Sequence, residues 1–325
     1  MDANVEPVVV LDQVAHGMSA ERCADELRER LPGVEVALAE TRRDALDLVP
    51  DAPIVVGLKP DDEVLAAAES LRLFACGYAG IDHLPLDDLR ARGVAVTNAA
   101  GVHAPGIAEQ VFGSIFEFTR RLDRGRRQQE RREWRRYPSA GEVQGATVTV
   151  VGQGAIGTTI VERANAFEAH TVAVRHSPEK GGPADAVHGY DAMPDVLVDA
   201  DFLVLACPLT ETTEKLIDAR AFDALSPESV LINVARGGVV DTGALVTALR
   251  KNRIRAAALD VTDPEPLPED HPLWTFGNVR ITPHMAGHTP RYWERVAGIL
   301  VRNVERVRDG GSWGDPDLDL ENQVV

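Results

Sequence analysis

The feature that most restricts the fold is the segment TVTVVGQGAIG, residues 147–157. A β-branched apolar run enters a turn carrying Gly152, Gly154 and Gly157 in GxGxxG spacing, then leaves into a helix-favouring stretch that starts near Ala155. Glycine there lets the backbone approach a pyrophosphate, and the free N–H groups of the helix N-terminus attract its charge. A second strand, Thr171–Val174, follows at the spacing that separates a dinucleotide fingerprint from an ordinary tight turn. In NAD binders an acidic residue is expected about 20 residues beyond the fingerprint, on the ribose 2′-hydroxyl. Here the second strand ends in Arg175, His176 and Ser177 instead.

The rest of the chain alternates in the same way. Short apolar runs at Val8–Leu11, Val34–Leu38, Ile54–Leu58, Leu71–Ala75 and Val94–Thr97 are separated by helix-favouring stretches such as Ser19–Leu31 and Asp61–Ser70. A long helix is expected from Ala104 to Arg121, with Ile107, Val111, Ile115 and Phe118 on one face. A second series begins at Thr147, with further strands expected at Thr171–Val174, Phe202–Ala206, Val230–Asn233, Arg255–Leu259 and Val279–Ile281. A last helix over Arg291–Arg308 precedes an acidic tail. This is the βαβ pattern of parallel sheets covered on both faces, so the fold class is α/β with two doubly wound domains.

Composition narrows the function classes. The 325 residues carry 51 acidic against 34 basic side chains, a net charge of −17, which argues against nucleic-acid and anionic-membrane partners. Only Lys59, Lys180, Lys215 and Lys251 are lysines, so acid surplus with few lysines points to a salt-rich cytoplasm, with a GC-rich genome as the plainer source of arginine. Nine arginines crowd residues 120–136 beside Glu130, Glu133 and Trp134. In so acidic a chain this reads as a solvated or subunit-contacting face laced with i,i+4 ion pairs. No apolar run reaches the length of a membrane span, and the N-terminus lacks a signal-peptide pattern. Cys23, Cys76 and Cys207 form neither a disulfide framework nor a metal pattern, which fits the cytoplasm and no bound metal.

Three later segments bring chemistry to strand ends. LINVARGG places Arg236 past one strand, ALDVTDPEPLP places Asp260 and Glu265 past the next, and RITPHMAG places His284 past the last. The carboxyl ends of parallel strands face the ligand crevice. Alone, each has an ordinary reading as a surface arginine, a solvated carboxylate or a structural histidine. Together they supply a cation for a carboxylate substrate and an acid-base histidine with a carboxylate partner.

With these motifs, and with CPLTETTEKLI, FACGYAGIDHL and VTNAAGVHAPGIAEQVFG in order and spacing, the chain resembles the D-isomer-specific 2-hydroxyacid dehydrogenases over most of its length. The resemblance implies a Rossmann-type cofactor domain, 101–285, inserted into a flavodoxin-like substrate domain, 1–100 and 286–325. It implies that Arg236 binds the carboxylate of a 2-oxo acid, that His284 protonates the 2-oxo oxygen as hydride arrives at C2, and that Glu265 holds His284. Backbone amides of Tyr78, Ala79 and Gly80 are implied to reach the substrate carboxylate. Val234 and Asp260 are implied to face the nicotinamide amide, and Cys207 and Pro208 the adenosine side. Gly152, Gly154, Ala155, Ile156, Gly157, Thr213 and Gly287 complete the implied cofactor set. A homodimer is also implied.

Departures from the family pattern are informative. Tyr78 stands where glycine is frequent, and Gln110 where a histidine is common. Arg175 occupies the place of the aspartate of NAD-preferring relatives. An arginine there holds a 2′-phosphate by charge-assisted hydrogen bonds, with Ser177 adding a hydroxyl, so NADP(H) is the expected preference and NAD(H) the alternative. The expected activity is reduction of 2-oxo acids to D-2-hydroxy acids. Glyoxylate/hydroxypyruvate reduction and phosphoglycerate oxidation are alternatives, a long phosphoglycerate enzyme with a regulatory module being disfavoured because no further domain follows the last helix. A glutamate at 265 rather than a glutamine disfavours a formate-oxidising relative. A cofactor-sensing corepressor is the alternative of a different class.

Overall fold

The computed structural model describes residues 5–138, 141–309, 313 and 318–325. It divides into two compact units, one running to His103 and resuming at His288, the other Ala104–Gly287.

In the first unit, the valine- and leucine-rich runs become β1 (Val8–Leu11), β2 (Val36–Ala39), β3 (Ile54–Gly57), β4 (Leu73–Cys76) and β5 (Ala95–Thr97). All pair in parallel in the order β2-β1-β3-β4-β5, the flavodoxin-like arrangement. Strands β1, β3 and β4 are buried at every position, which is why they read as continuous apolar runs rather than as alternating ones. The last helix, Tyr292–Arg308, packs in this unit against the helix Glu21–Arg30. Its Tyr292 and Trp293 are each 1 % exposed and anchor it: Tyr292 Oη donates to Gly77 O at 2.5 Å and Trp293 Nε1 to Met18 O at 3.1 Å. The acidic tail expected after this helix lies partly outside the described residues, at 310–312 and 314–317. Its far end returns to β5, where Val96 N donates to Val325 O at 3.1 Å and Val324 N to Val96 O at 2.8 Å, covering an open sheet edge.

The second unit holds β6 (Thr147–Val151), β7 (His170–Val174), β8 (Ala186–His188), β9 (Phe202–Leu205), β10 (Val230–Asn233), β11 (Ala256–Leu259) and β12 (Val279–Ile281). They form one parallel sheet in the order β12-β11-β10-β9-β6-β7-β8. This is the doubly wound Rossmann order with one strand added, and the chain reverses direction across the sheet between β6 and β9.

Two local differences from expectation have physical causes. The helix Ala104–Arg120 stops because Arg121 takes a left-handed φ of 51°, and a second helix, Leu122–Glu130, starts behind it. That helix carries the i,i+4 pairs Arg126–Glu130 and Arg127–Asp123, as the charge pattern led one to expect. Strand β8 has no signature in the sequence, because its three residues are half-buried edge positions without an apolar run. The three cysteines are free and buried, and burial pushes the thiols up, to about 12 for Cys23 and about 11 for Cys76 and Cys207. They serve as small apolar side chains.

Candidate active site

The glycine turn after β6 is built by close approaches. A Cβ on Gly152, which has φ +96°, would lie 2.5 Å from Cys207 N, and one on Gly157 would lie 1.9 Å from Gly152 O. The turn therefore folds flat against the end of β9, with Cys207 and Pro208 beside it. Gly154 is the N-cap of the helix Ala155–Ala166, with no side chain closing the cap and open space where its Cβ would be. Ala155 is exposed and Ile156 half-buried at the helix start, where the amides of Ala155, Ile156 and Gly157 have no acceptor among the described residues. This open, uncapped helix start fits the pyrophosphate of a dinucleotide.

At the end of β7, Arg175 is half-buried and its Nη1 donates to Gly181 O at 2.8 Å, which ties down the loop that follows. His176 is exposed and Ser177 half-buried. Thr213 is 2 % exposed, with its hydroxyl donating to Pro208 O at 2.6 Å and accepting from Thr210 N at 2.8 Å. It shapes the loop after β9, its hydroxyl and its backbone N–H both being donated within that loop.

The acid-base pair comes together within this unit. His284 Nδ1 lies 3.2 Å from the Glu265 carboxylate, and both side chains are about half exposed. Pro264 and Pro266 flank Glu265 and restrict the backbone that presents it. His284 itself has a left-handed φ of 50°, an uncommon state for a non-glycine residue. Asp260, 6 % exposed at the end of β11, holds it there. Its backbone carbonyl accepts from His284 N at 2.8 Å. Its Oδ1 accepts from Thr282 Oγ1 at 2.5 Å and Met285 N at 3.0 Å, and its Oδ2 accepts from Ala286 N at 2.9 Å. Gln110 extends the network from the helix Ala104–Arg120, its Nε2 donating to Thr282 Oγ1 at 3.2 Å. The carboxylate implied to face a nicotinamide amide is thus occupied by the loop that carries the histidine. The sequence placed Asp260 at a strand end but held no sign of this bracket, since the left-handed turn at His284 is what aims the three donors.

Arg236 follows β10 in extended conformation, exposed and without an acidic partner among the described residues. Its Nη1 donates to Ala235 O at 2.6 Å, and Asn233 braces the turn through Nδ2 to Arg236 O at 3.0 Å and Oδ1 to Ala235 N at 3.0 Å. The adjoining Val234 is buried, its N–H donating to Leu205 O at 3.2 Å. A Cβ on Gly237 would lie 1.9 Å from Thr262 O, so this glycine presses the Arg236 turn onto the loop leading to Glu265. Gly287 closes the unit just after the histidine loop.

In the other unit, Tyr78 is 43 % exposed and stands edge-on to His83. The carbonyls of Tyr78 and Ala79 accept from Ala99 N at 3.0 Å and Asn98 Nδ2 at 2.8 Å. The amides of Ala79 and Gly80 have no acceptor among the described residues.

The chain is similar to known proteins of one family. Residues 112–286 match the family described as D-isomer specific 2-hydroxyacid dehydrogenase, NAD binding domain. The chain is 31% identical over 292 residues to the D-3-phosphoglycerate dehydrogenase of Methanocaldococcus jannaschii, covering 88% of this chain and 56% of that protein, so it spans little more than half of that relative's length. It is 34% identical over 260 residues to the glyoxylate reductase of Thermofilum pendens, covering 78% of this chain and 76% of that one. Among solved structures, a D-isomer specific 2-hydroxyacid dehydrogenase family protein from Aeromonas salmonicida superposes with a TM-score of 0.75 at 32% identity, over 98% of both chains.

Proposed function

Since the chain belongs to the D-isomer specific 2-hydroxyacid dehydrogenase family, we propose that it reduces 2-oxo acids to D-2-hydroxy acids with a nicotinamide cofactor, NADPH in preference to NADH. The observation that carries this reading is the His284–Glu265 pair at 3.2 Å, set with Arg236 at carboxyl ends of strands of the sheet that holds the glycine turn.

The residues divide the work as follows. Gly152, Gly154 and the amides of the helix start at Ala155–Gly157 hold the pyrophosphate, and Arg175, His176 and Ser177 hold the 2′-phosphate. When bound, the nicotinamide supplies the hydride that reduces C2 of the substrate. Arg236 takes the substrate carboxylate in a charge-assisted pair, and its planar fork fixes the orientation of the carbonyl. Glu265 accepts from Nδ1–H of His284, which leaves Nε2–H to donate its proton to the carbonyl oxygen as negative charge develops there. In the other unit, the backbone amides of Ala79 and Gly80 are left to donate to a carboxylate.

The chain acts as a homodimer in this reading, with the arginine-dense arm as the contacting face. Trp134, the most exposed large hydrophobic side chain among the described residues at 104 %, and Leu122, 53 % exposed, support that assignment. A cytoplasmic location accords with the buried free thiols, and no helix among the described residues is long and apolar enough to cross a membrane. The test is a panel of 2-oxo acids, glyoxylate and hydroxypyruvate included, assayed with NADPH and NADH and followed by chiral analysis of the product. D-2-hydroxy acids formed faster with NADPH support the reading. An L-product, or no turnover with any acid, overturns it.

A further inference from the structure

Within the glycine turn, Gln153 is 4 % exposed, yet neither its Oε1 nor its Nε2 has a hydrogen-bond partner among the described residues. A buried amide left unpaired is destabilising, and an apolar side chain of similar size would avoid the penalty. The amide lies against Gly182, where a Cβ would fall 2.4 Å from Nε2 and 2.5 Å from Oε1. Gly181 and Gly182 have φ of +61° and +154°, so this piece of chain settles on the amide only because it lacks side chains. The same piece is the one Arg175 grips through Gly181 O at 2.8 Å. The orphaned amide and the arginine at the end of β7 therefore converge on two consecutive residues.

Building on the NADPH preference argued above, we propose that Gln153 is a specificity-determining residue whose Nε2 donates to the 2′-phosphate held by Arg175 and Ser177. The chemistry favours discrimination. A phosphate oxygen accepts the N–H, whereas NAD(H) has no phosphate there and leaves the amide unpaired. A site built to hydrogen-bond a group rejects the analogue that lacks it for this reason.

The test is calorimetric titration of the purified chain with NADP+ and NAD+, and with 2′-phospho-AMP and AMP, for wild type, Gln153→Leu and Gln153→Glu. Gln153→Leu should weaken NADP+ about tenfold, one hydrogen bond to a charged group, and leave NAD+ within about twofold. Gln153→Glu should weaken NADP+ further, by like-charge repulsion, again with NAD+ retained. NAD+ binding at wild-type strength reports that a variant is folded, and if one variant fails to fold the other carries the comparison. A wild type that prefers NADP+ with an unchanged NADP+/NAD+ ratio in the folded variants overturns the role of Gln153 alone. A wild type with no preference overturns both this role and the NADPH reading.

Discussion

Asp260→Asn isolates the bracket that holds His284. The side chain keeps its shape, but one carboxylate oxygen becomes an NH2. If Oδ1 stays toward Thr282 and Met285, the new NH2 meets Ala286 N, donor against donor. If the amide is flipped, Met285 N faces the NH2 instead. Either way at least one short backbone bond to a charged acceptor is lost and a mostly buried N–H is left unpaired, about 2–3 kcal/mol together. The left-handed backbone of His284 carries a further intrinsic cost of about 1–2 kcal/mol that the bracket now balances, so the loop relaxes before the rest of the unit unfolds. A local change of about 2–3 kcal/mol corresponds to roughly 30- to 150-fold in the opening equilibrium. Hydrogen exchange at the amides of Met285 and Ala286 should accelerate by that factor, while amides of β6 and β9 stay near wild type. Turnover should fall by at least tenfold, with cofactor affinity changed less than turnover. Wild-type exchange at both amides, with the loss confined to cofactor binding, would refute the bracket and return Asp260 to a role at the cofactor.

Other outcomes can be checked more briefly. His284→Ala should reduce turnover by about 10²- to 10⁴-fold, the range for a lost general acid, while calorimetry still detects cofactor binding. A rate near wild type would exclude it as the proton donor. Arg175→Asp should weaken NADPH about tenfold or more and shift preference toward NADH, and an unchanged ratio of kcat/KM values would clear it of that duty. The C-terminal segment should fail with acid. The bidentate pair with Arg302 holds Glu321 below its usual range, so the unfolded chain takes up this proton more readily than the folded one. Its stabilisation is full above the ordinary glutamate range and is lost as the pH falls through and below it. Arg302→Met should therefore lower Tm at neutral pH and converge with wild type in acid; a constant gap would exclude the linkage. Finally, the net charge of −17 should make the melting temperature rise from low to molar KCl, as the screening length falls from about 30 Å at 0.01 M to about 3 Å. A flat profile would leave arginine-rich codon usage as the better account of the composition.

The topology was legible because parallel strands buried on both faces read as unbroken apolar runs, and those runs stand within a few residues of β1, β3, β6, β9 and β10. The glycine turn was legible because only glycine satisfies its close approaches. What stayed hidden depends on directions rather than positions. Arg121 ends a helix by a left-handed turn that its side chain does not announce. Asp260 was placed at the right strand end, but the loop that uses its carboxylate folds back from residues 282–286. Thr213 belonged to a matching motif, and only the loop geometry directs its hydroxyl inward. Gln153 fills an unspecified position of the fingerprint, and only its buried amide, without a partner among the described residues, sets it apart.

The contact between Gly237 and Thr262 bears on how this scaffold is re-engineered. Because position 237 tolerates no side chain against the Thr262 carbonyl, the arginine turn and the glutamate loop behave as a single casting rather than as two interchangeable parts. A loop transplant aimed at new substrates that replaces 236–238 without 260–266, or the reverse, will bring mismatched backbones into collision. The transferable module is the pair of loops moved as one piece, and libraries that randomise them separately will recover mostly non-folding clones.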